Sequence, residues 1–214
     1  MPDIDLLQSI PKPKRNVTER ATARSAEHVR ISRQYGAEYF DGSREYGYGG
    51  YTYDGRWVSV ARDVIKHFGL NPGDRVLDVG CAKGFLVKDL VDMGIEAFGL
   101  DISSYALAHA DTGISDRLQL GSADEINFPD NSFDAVLSFN TLHNLPRERC
   151  LKAVREIERL APGRGFIQVD SYETPEQKAV FEDWVLTAMF YGYPKEWISL
   201  FNEAGYTGFW HWTI

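Results

Sequence analysis

Residues 75–85, RVLDVGCAKGF, join a short apolar run to a glycine-rich turn. A run of this length is typical of a buried strand, and Phe85 begins a stretch with helical spacing. Gly80 and Gly84, with only a methyl group at Ala82, allow the backbone to turn sharply and to pass close beneath a ligand. The N–H groups that begin the following helix would point at that ligand. The stretch predicts a strand–turn–helix unit with a binding site at its turn.

Strands and helices alternate on both sides of this unit. Further strands are predicted at 97–100, 118–120, 135–139, 166–169 and 207–214, and helices at 57–68, 85–93, 105–110, 149–160, 175–190 and from Pro194 to a Gly205 cap. Such alternation predicts an α/β fold with a doubly wound, mostly parallel sheet and helices on both faces. Ligands bind such sheets beyond the carboxyl ends of the strands, so we look for chemistry where the strands end.

A carboxylate follows the second strand, 21 positions after Gly80, at Asp101. At this spacing from a glycine turn, it can accept hydrogen bonds from the hydroxyls of an adenosine ribose. The alternative is a helix N-cap toward Ser103 and Ser104. The dinucleotide pattern G-x-G-x-x-G/A would need a small residue where the sequence has Phe85, which disfavours NAD.

Composition excludes several classes of protein. The 214 residues carry 23 Lys or Arg against 31 Asp or Glu, a net charge of −8, which argues against nucleic acid as a bulk partner. The two cysteines, Cys81 and Cys150, are far apart and predict free thiols in a reducing compartment. Because no apolar run reaches roughly 18 residues and no secretory signal is evident, we expect a cytoplasmic protein with no membrane span.

The first 56 residues differ in character from the rest, and we expect them to form a basic arm and a lid preceding a domain at 57–214. Seven Lys or Arg face four acids between Met1 and Tyr35, and residues 18–33 favour a helix capped by Thr18. Residues 41–56 place four tyrosines among five glycines, which excludes a regular helix. Such a loop either covers a bound planar molecule or only covers the core.

Four segments together resemble the class I S-adenosylmethionine-dependent methyltransferases: 75–85, the strand end at Asp101, GSAD at 121–124 and DNSFDAVLSFN at 130–140. The similarity extends from about Trp57 to Gly205, with alanine in the middle of the family's usual G-x-G-x-G. The resemblance implies a Rossmann-like methyltransferase fold, S-adenosyl-L-methionine as cofactor and S-adenosyl-L-homocysteine as product. We expect six main strands, without the last antiparallel strand that the family usually appends.

The resemblance also implies roles for individual residues. The turn would face the methionine moiety, Asp101 the ribose, Ile102 the adenine face, Ala123 and Asp124 the adenine edge, and Asn140 the amino group. The predicted cofactor residues of the domain are Asp78, Gly80, Cys81, Ala82, Gly84, Asp101, Ile102, Ala123, Asp124 and Asn140. An ordinary loop acid is the alternative for Asp124.

In this interpretation the lid faces the cofactor. Tyrosine faces stabilise a desolvated cation by roughly 1 to 2 kcal/mol, which makes Tyr51 and Tyr53 candidates for the sulfonium. Arg56 could pair with the cofactor's carboxylate in a bidentate geometry, or it is an ordinary surface arginine.

Catalytic residues are harder to predict, because methyl transfer mainly requires alignment of the acceptor and, for a hydroxyl, removal of a proton. His143 is the first candidate base and Asp170 the second, although lone histidines are more often structural. The strand ends lack the carboxylate density that Mg²⁺ favours, so we expect no metal.

The aromatic residues after the fifth strand favour a small-molecule acceptor, with oxygen as the expected acceptor atom of a sugar or secondary metabolite. Aromatic residues on the last strand would be exposed at an edge and favour a homodimer. Two other functions remain open: a non-catalytic adenosyl-ligand binding domain with a regulatory role, and an NAD-dependent reductase.

Overall fold

A computed structural model of the protein describes residues 2–10 and 24–213. Within them six strands form one sheet in the order β3-β2-β1-β4-β5-β6, and every neighbouring pair is parallel. The strands are β1 (Arg75–Val79), β2 (Glu96–Asp101), β3 (Leu118–Leu120), β4 (Ala135–Phe139), β5 (Gly165–Asp170) and β6 (Phe209–Thr213). The predicted doubly wound α/β fold is confirmed. The strand order reverses between β1 and β4, which places the expected ligand cleft there.

Helices connect these strands and precede them. They are α1 (Ala26–Ser32), α2 (Ala37–Phe40), α3 (Trp57–Phe68), α4 (Phe85–Asp92), α5 (Ser104–Ala108), α6 (Arg147–Leu160), α7 (Pro175–Trp184) and α8 (Pro194–Ala204), with 3-10 turns at Thr112–Arg117 and Leu142–Asn144. Helix α3 ends at Gly69 and α8 at Gly205, both left-handed as the sequence predicts.

The two faces of the sheet carry different helices because neighbouring residues of a strand point to opposite sides. Val76 belongs to a cluster with the apolar faces of α3 and α4. Leu77 and Val79 belong to the cluster formed with α6 and α8. The central strands β1, β4 and β5 are almost fully buried between these layers, as in other sheets covered on both faces.

Two predicted helices have different bounds in the structure. Helix α7 ends at Trp184, not at 190, because the next segment bonds to another element: the N–H groups of Met189 and Phe190 both donate to the carbonyl of His143. Helix α1 begins after Ser25, whose side chain accepts from the N–H of His28. The predicted cap Thr18, together with Lys12, Lys14, Arg15 and Arg20 of the basic arm, lies outside the described residues.

The outer edge of β6 pairs with the beginning of the chain. The N–H of Ile4 donates to the carbonyl of Trp210 at 2.9 Å, and the N–H of Trp210 donates to the carbonyl of Pro2 at 3.3 Å. Trp212 stacks on Phe201 of α8 with centroids 6.0 Å apart. The aromatic residues of β6 are therefore half-buried, and the homodimer expected from an exposed edge stays a prediction.

Within the described residues, 2–10 and 24–213, every helix is too short or too polar to cross a membrane. Cys81 and Cys150 are both buried free thiols, as predicted.

Candidate functional site

A cavity of about 290 Å³ opens where β1, β2 and β4 end. Its walls come from these three strand ends, from the segment 33–48 and from the turn after β4. Six of the predicted cofactor residues line it: Gly80, Ala82, Asp101, Ile102, Ala123 and Asn140. The fold thus brings together residues that are up to 60 positions apart in the sequence.

Asp101 joins the glycine turn to the end of β2. One carboxylate oxygen accepts from the N–H of Ala82 at 2.7 Å and the other from the N–H of Ser103 at 2.8 Å. Desolvation raises the pKa of the carboxyl, and the bonds from these N–H groups oppose that shift. Each oxygen retains a lone pair, so the carboxylate can still accept from a ligand in the cavity. The alternative role is met in part, because Asp101 accepts from the N–H of Ser103, and Ser103 in turn is the N-cap of α5.

The turn owes its shape to residues with positive φ. Gly80 has φ 87°, and a Cβ there would lie 1.9 Å from Oγ1 of Thr141, at the start of the turn after β4. Ala82 has φ 51°, which is uncommon for a residue with a side chain. Gly84, at φ 72°, is the N-cap of α4, where no side chain caps the first turn. Gly84 packs toward Ile114 and Leu118 and does not line the cavity.

The cavity end next to Asp101 is apolar. Ile102 leaves 55% of its surface exposed at the cavity wall, and Ala123 lies across from it after β3. An exposed isoleucine beside a carboxylate suits a nucleoside, whose flat base needs an apolar surface and whose ribose needs an acceptor.

Asp124, the predicted contact of the adenine edge, does not line the cavity and is bonded to another side chain. Both its carboxylate oxygens bond to the guanidinium of Arg149, at 2.7 and 2.8 Å, and the Ser122 hydroxyl donates to it as well. These bonds lower the pKa of Asp124 to about 2. Arg149 itself lines the cavity, so the ion pair closes the cavity wall where an acceptor for the adenine amine was expected.

Asp78 and Cys81 lie behind the cavity wall and do not line it. Asp78 is 5% exposed, and burial together with the charge of Asp101 raises its pKa to about 7. Burial raises the pKa of the Cys81 thiol, which packs under Gly99. Either residue can affect cofactor binding only indirectly, by shaping the glycine turn or through the charge of its own side chain.

Residues 41–56, the predicted lid, pack on the glycine turn. The two tyrosines predicted to face the cofactor do not line the cavity. Tyr51 stacks on Phe85 with centroids 4.9 Å apart and does not line the cavity. The hydroxyl of Tyr53 donates to the buried carboxylate of Asp89 in α4 at 2.6 Å, and Tyr53 does not line the cavity. Arg56 bonds to both oxygens of Asp54 and also lies away from the cavity. The structure thus places Tyr53 and Arg56 outside the cavity wall, each bonded to an aspartate, Asp89 and Asp54 respectively.

Other residues of the N-terminal segment form the cavity wall: Arg33, Tyr35, Tyr39, Phe40 and Tyr48. Tyr48 belongs to the tyrosine–glycine run, so its general position was predictable, but which tyrosine faces inward depends on the packing around Phe40. The carbonyl of Tyr35 accepts from the Ser103 hydroxyl at 2.6 Å, which fixes the segment above Asp101.

Arg33 lines the cavity, although no sequence pattern indicated this. One of its nitrogens donates to the carbonyl of Ala188 at 3.2 Å, and the structure pairs it with no carboxylate among residues 2–10 and 24–213. Because Arg149 is held by Asp124, Arg33 is the guanidinium of the cavity wall that keeps its charge available.

The two predicted catalytic residues lie outside the cavity. Nδ1 of His143 accepts from the backbone N–H of Asp170 at 3.1 Å, and the side chain is 6% exposed. The carboxylate of Asp170 accepts from the hydroxyl of Thr213, and its carbonyl accepts from the Trp197 indole. Both residues join β5 to its neighbours, so a catalytic role for either stays a prediction.

Asn140 ends β4 with φ 52° and lines the cavity, as expected. Its Oδ1 accepts from the Thr213 hydroxyl at 3.2 Å, which leaves its amide N–H groups directed elsewhere. In the described part of the chain, histidine, cysteine and carboxylate side chains nowhere gather in a group of three that would hold a metal ion.

Comparison with known proteins identifies this architecture. Residues 77–169 match the family described as "Methyltransferase domain". Sterol 24-C-methyltransferase ERG6A of Gibberella zeae is 31% identical over 188 residues, which cover 76% of this chain and 48% of that protein. Demethylmenaquinone methyltransferase of Symbiobacterium thermophilum is 31% identical over 131 residues, 55% of this chain and 50% of that protein. The chain spans about half the length of these curated relatives.

Solved structures show the same fold. The YcgJ protein of Bacillus subtilis superposes with a TM-score of 0.52 at 21% identity, covering 67% of this chain and 66% of that chain. The family match at residues 77–169 runs from β1 to β5 and so includes the glycine turn, Asp101 at the end of β2 and Asn140 after β4. Over residues 77–169 the chain belongs to the methyltransferase domain family, which agrees with the resemblance of its sequence to the class I S-adenosylmethionine-dependent methyltransferases.

Proposed function

We propose that this chain binds S-adenosylmethionine in the cavity at the ends of β1, β2 and β4 and transfers its methyl group to a small-molecule acceptor. The observation that carries the proposal is the contact between Asp101 and the N–H of Ala82, with the exposed Ile102 beside it. This contact joins a ribose acceptor, an apolar surface and the glycine turn along one cavity wall.

The cofactor would supply an activated methyl group on a sulfonium, so the protein's task is to bind, orient and exclude water. Asp101 would accept from the ribose hydroxyls while its bonds to Ala82 and Ser103 keep it in place. Tyr35 and Tyr48 would shield the sulfur from water. Burial raises the pKa of Tyr35 to about 12, so this phenol stays neutral, and the neutral rings of Tyr35 and Tyr48 would stabilise a cation through their faces.

We further propose that Arg33, in place of Arg56, binds the carboxylate of the cofactor's methionine moiety. Its bond to Ala188 places it beside Met189, whose N–H bonds to the turn after β4. Asn140 and Thr141, where β4 ends, also line the cavity. The methionine moiety would extend toward the end of β4 when the base lies on Ile102.

The acceptor would meet a mostly aromatic and apolar wall. Apart from Asp101, the charged residues of the cavity wall are Arg33 and the paired Arg149. Such a wall suits an apolar secondary metabolite better than a sugar with many hydroxyl groups. Since the described cavity wall contains no histidine and no carboxylate besides Asp101 to act as a base, we propose an acceptor that gives up its proton easily, with oxygen as the acceptor atom.

Titration with S-adenosylhomocysteine, followed by calorimetry, tests the cofactor assignment. The wild type should bind, and Asp101→Asn should weaken binding about tenfold or more, because hydrogen bonds to a charged group contribute about 1.5–3 kcal/mol. Asp116→Asn, an exposed aspartate outside the cavity, should bind like the wild type. Binding of NAD without binding of S-adenosylhomocysteine would overturn the proposal in favour of the reductase.

Binding alone does not separate an enzyme from a regulatory binding domain. A panel of small phenols and other apolar hydroxyl compounds, incubated with S-adenosylmethionine carrying a labelled methyl group, makes that distinction. Label transferred to any compound supports the enzyme. Tight cofactor binding with no transfer across a broad panel favours the regulatory alternative.

A further inference from the structure

The glycine turn contains a buried cation that the cofactor family does not require. Lys83 lies between Ala82 and Gly84, and its side chain is 8% exposed. An ammonium group taken out of water is costly unless it is paired and hydrogen-bonded. Its partner comes from the lid, 42 positions earlier: Nζ donates to both carboxylate oxygens of Asp41, at 2.8 and 2.7 Å.

Asp41 joins three parts of the molecule. Besides Lys83, it accepts from the hydroxyl of Tyr105 in α5 at 2.8 Å and from the backbone N–H of Tyr51 at 3.2 Å. It therefore connects the lid both to the turn and to the helix that follows Asp101. No other carboxylate of the described residues bonds to Lys83.

The position of Asp41 is coupled to the cavity wall. Phe40, the preceding residue, lines the cavity and packs in one cluster with Ala82 and Ala106. Tyr48 stacks on Phe40 with centroids 5.7 Å apart and also lines the cavity. The ion pair thus holds the aromatic wall against the cofactor turn.

The pair also has an electrostatic consequence. S-adenosylmethionine carries one more positive charge than S-adenosylhomocysteine, at the sulfur. An ammonium in the turn, in a medium of low dielectric constant, would repel that charge unless a carboxylate neutralises it. Asp41 supplies the neutralising charge from the lid.

From these contacts we infer that Asp41 is a positioning residue that neutralises Lys83, so that a closed lid allows the turn to accept a sulfonium cofactor. The inference rests on the proposed cofactor. It predicts how the ion pair affects the ratio of the affinities for the sulfonium cofactor and for its thioether product.

The test compares the dissociation constants of S-adenosylmethionine and S-adenosylhomocysteine by calorimetry in the wild type, Asp41→Asn, Lys83→Met and the double variant. Asp41→Asn should weaken binding of S-adenosylmethionine about tenfold more than binding of S-adenosylhomocysteine. Lys83→Met leaves the carboxylate unpaired and should shift the ratio in the opposite direction. The double variant should return the ratio to that of the wild type, even if both ligands bind more weakly.

Asp54→Asn is the matched control, because Asp54 is a lid aspartate that pairs with Arg56 away from the cavity. It should leave both constants unchanged. If Asp41→Asn weakens binding of both ligands equally, the ion pair is only a structural contact and the inference is overturned. An unchanged ratio of the two dissociation constants in Lys83→Met would overturn it as well. If the Asp41 variant does not fold, the Lys83 variant decides alone. Failure of the wild type to bind either ligand would instead refute the proposed function.

Discussion

Replacing Asp78 with asparagine is expected to stabilise the ligand-free protein at neutral pH. Asp78 lies in the middle of the sheet, paired in register with Gly99 of β2 and Leu137 of β4. Burial, and to a lesser extent the charge of Asp101, raise its pKa from 3.8 to about 7. Asparagine has nearly the same shape and carries no charge.

The size of the effect follows from the shift in pKa. A shift of roughly three units at 1.36 kcal/mol each corresponds to at most about 4 kcal/mol. In the unfolded chain the group loses its proton near pH 3.8, whereas the folded protein keeps it to about pH 7. As pH rises through this window, the unfolded state binds fewer protons than the folded state, and the free energy of unfolding falls.

Urea unfolding of the wild type and Asp78→Asn, at about pH 5 and about pH 8, measures this contribution. The free energy of unfolding of the variant minus that of the wild type should be larger at the higher pH, because the wild type alone carries the penalty there. Asp116→Asn, at an exposed aspartate, controls for the loss of one negative charge. A difference that is the same at both pH values would refute the assignment of a buried, proton-retaining carboxyl to Asp78.

Two further predictions concern residues whose roles the structure reassigns. In calorimetric titrations, Arg33→Ala should weaken binding of S-adenosylhomocysteine about tenfold and leave binding of 5′-methylthioadenosine, which lacks the carboxylate, unaffected. Arg56→Ala should change the affinity for neither ligand. Equal losses of affinity for both ligands in Arg33→Ala would contradict the proposed role of Arg33. His143→Ala should lower the free energy of unfolding by about 1–3 kcal/mol through the unpaired N–H of Asp170, without changing the affinity for S-adenosylhomocysteine. A fully stable His143 variant that loses methyl transfer would restore His143 as a catalytic residue.

The sequence predicts the sheet well because each strand carries its own signal. RVLDV at 75–79 and the apolar run 135–139 are short, β-branched and bounded by turns, and the strand bounds match. The chain trace at 185–190 was not predictable in this way. Its N–H groups bond to His143, a residue more than 40 positions earlier, and no local pattern specifies such a partner.

The candidate site likewise contains residues whose position the sequence predicts and residues whose position depends on distant contacts. Gly80, Ala82 and Asp101 lie in the cavity because adjacent parallel strands bring their ends together. The lid residues depend on docking: Asp41 selects Lys83, Phe40 packs beside Ala82, and Tyr48 then faces inward while Tyr51 faces Phe85. Spacing along the chain contains no information about that choice.

Both native thiols are shielded from solvent, Cys81 beneath Gly99 and Cys150 inside α6. A maleimide dye should therefore react at an introduced surface cysteine in the folded enzyme without prior removal of either native one. A fluorophore on the loop at Gly50 and a second on the outer surface of α6 would then report the distance between lid and domain during turnover.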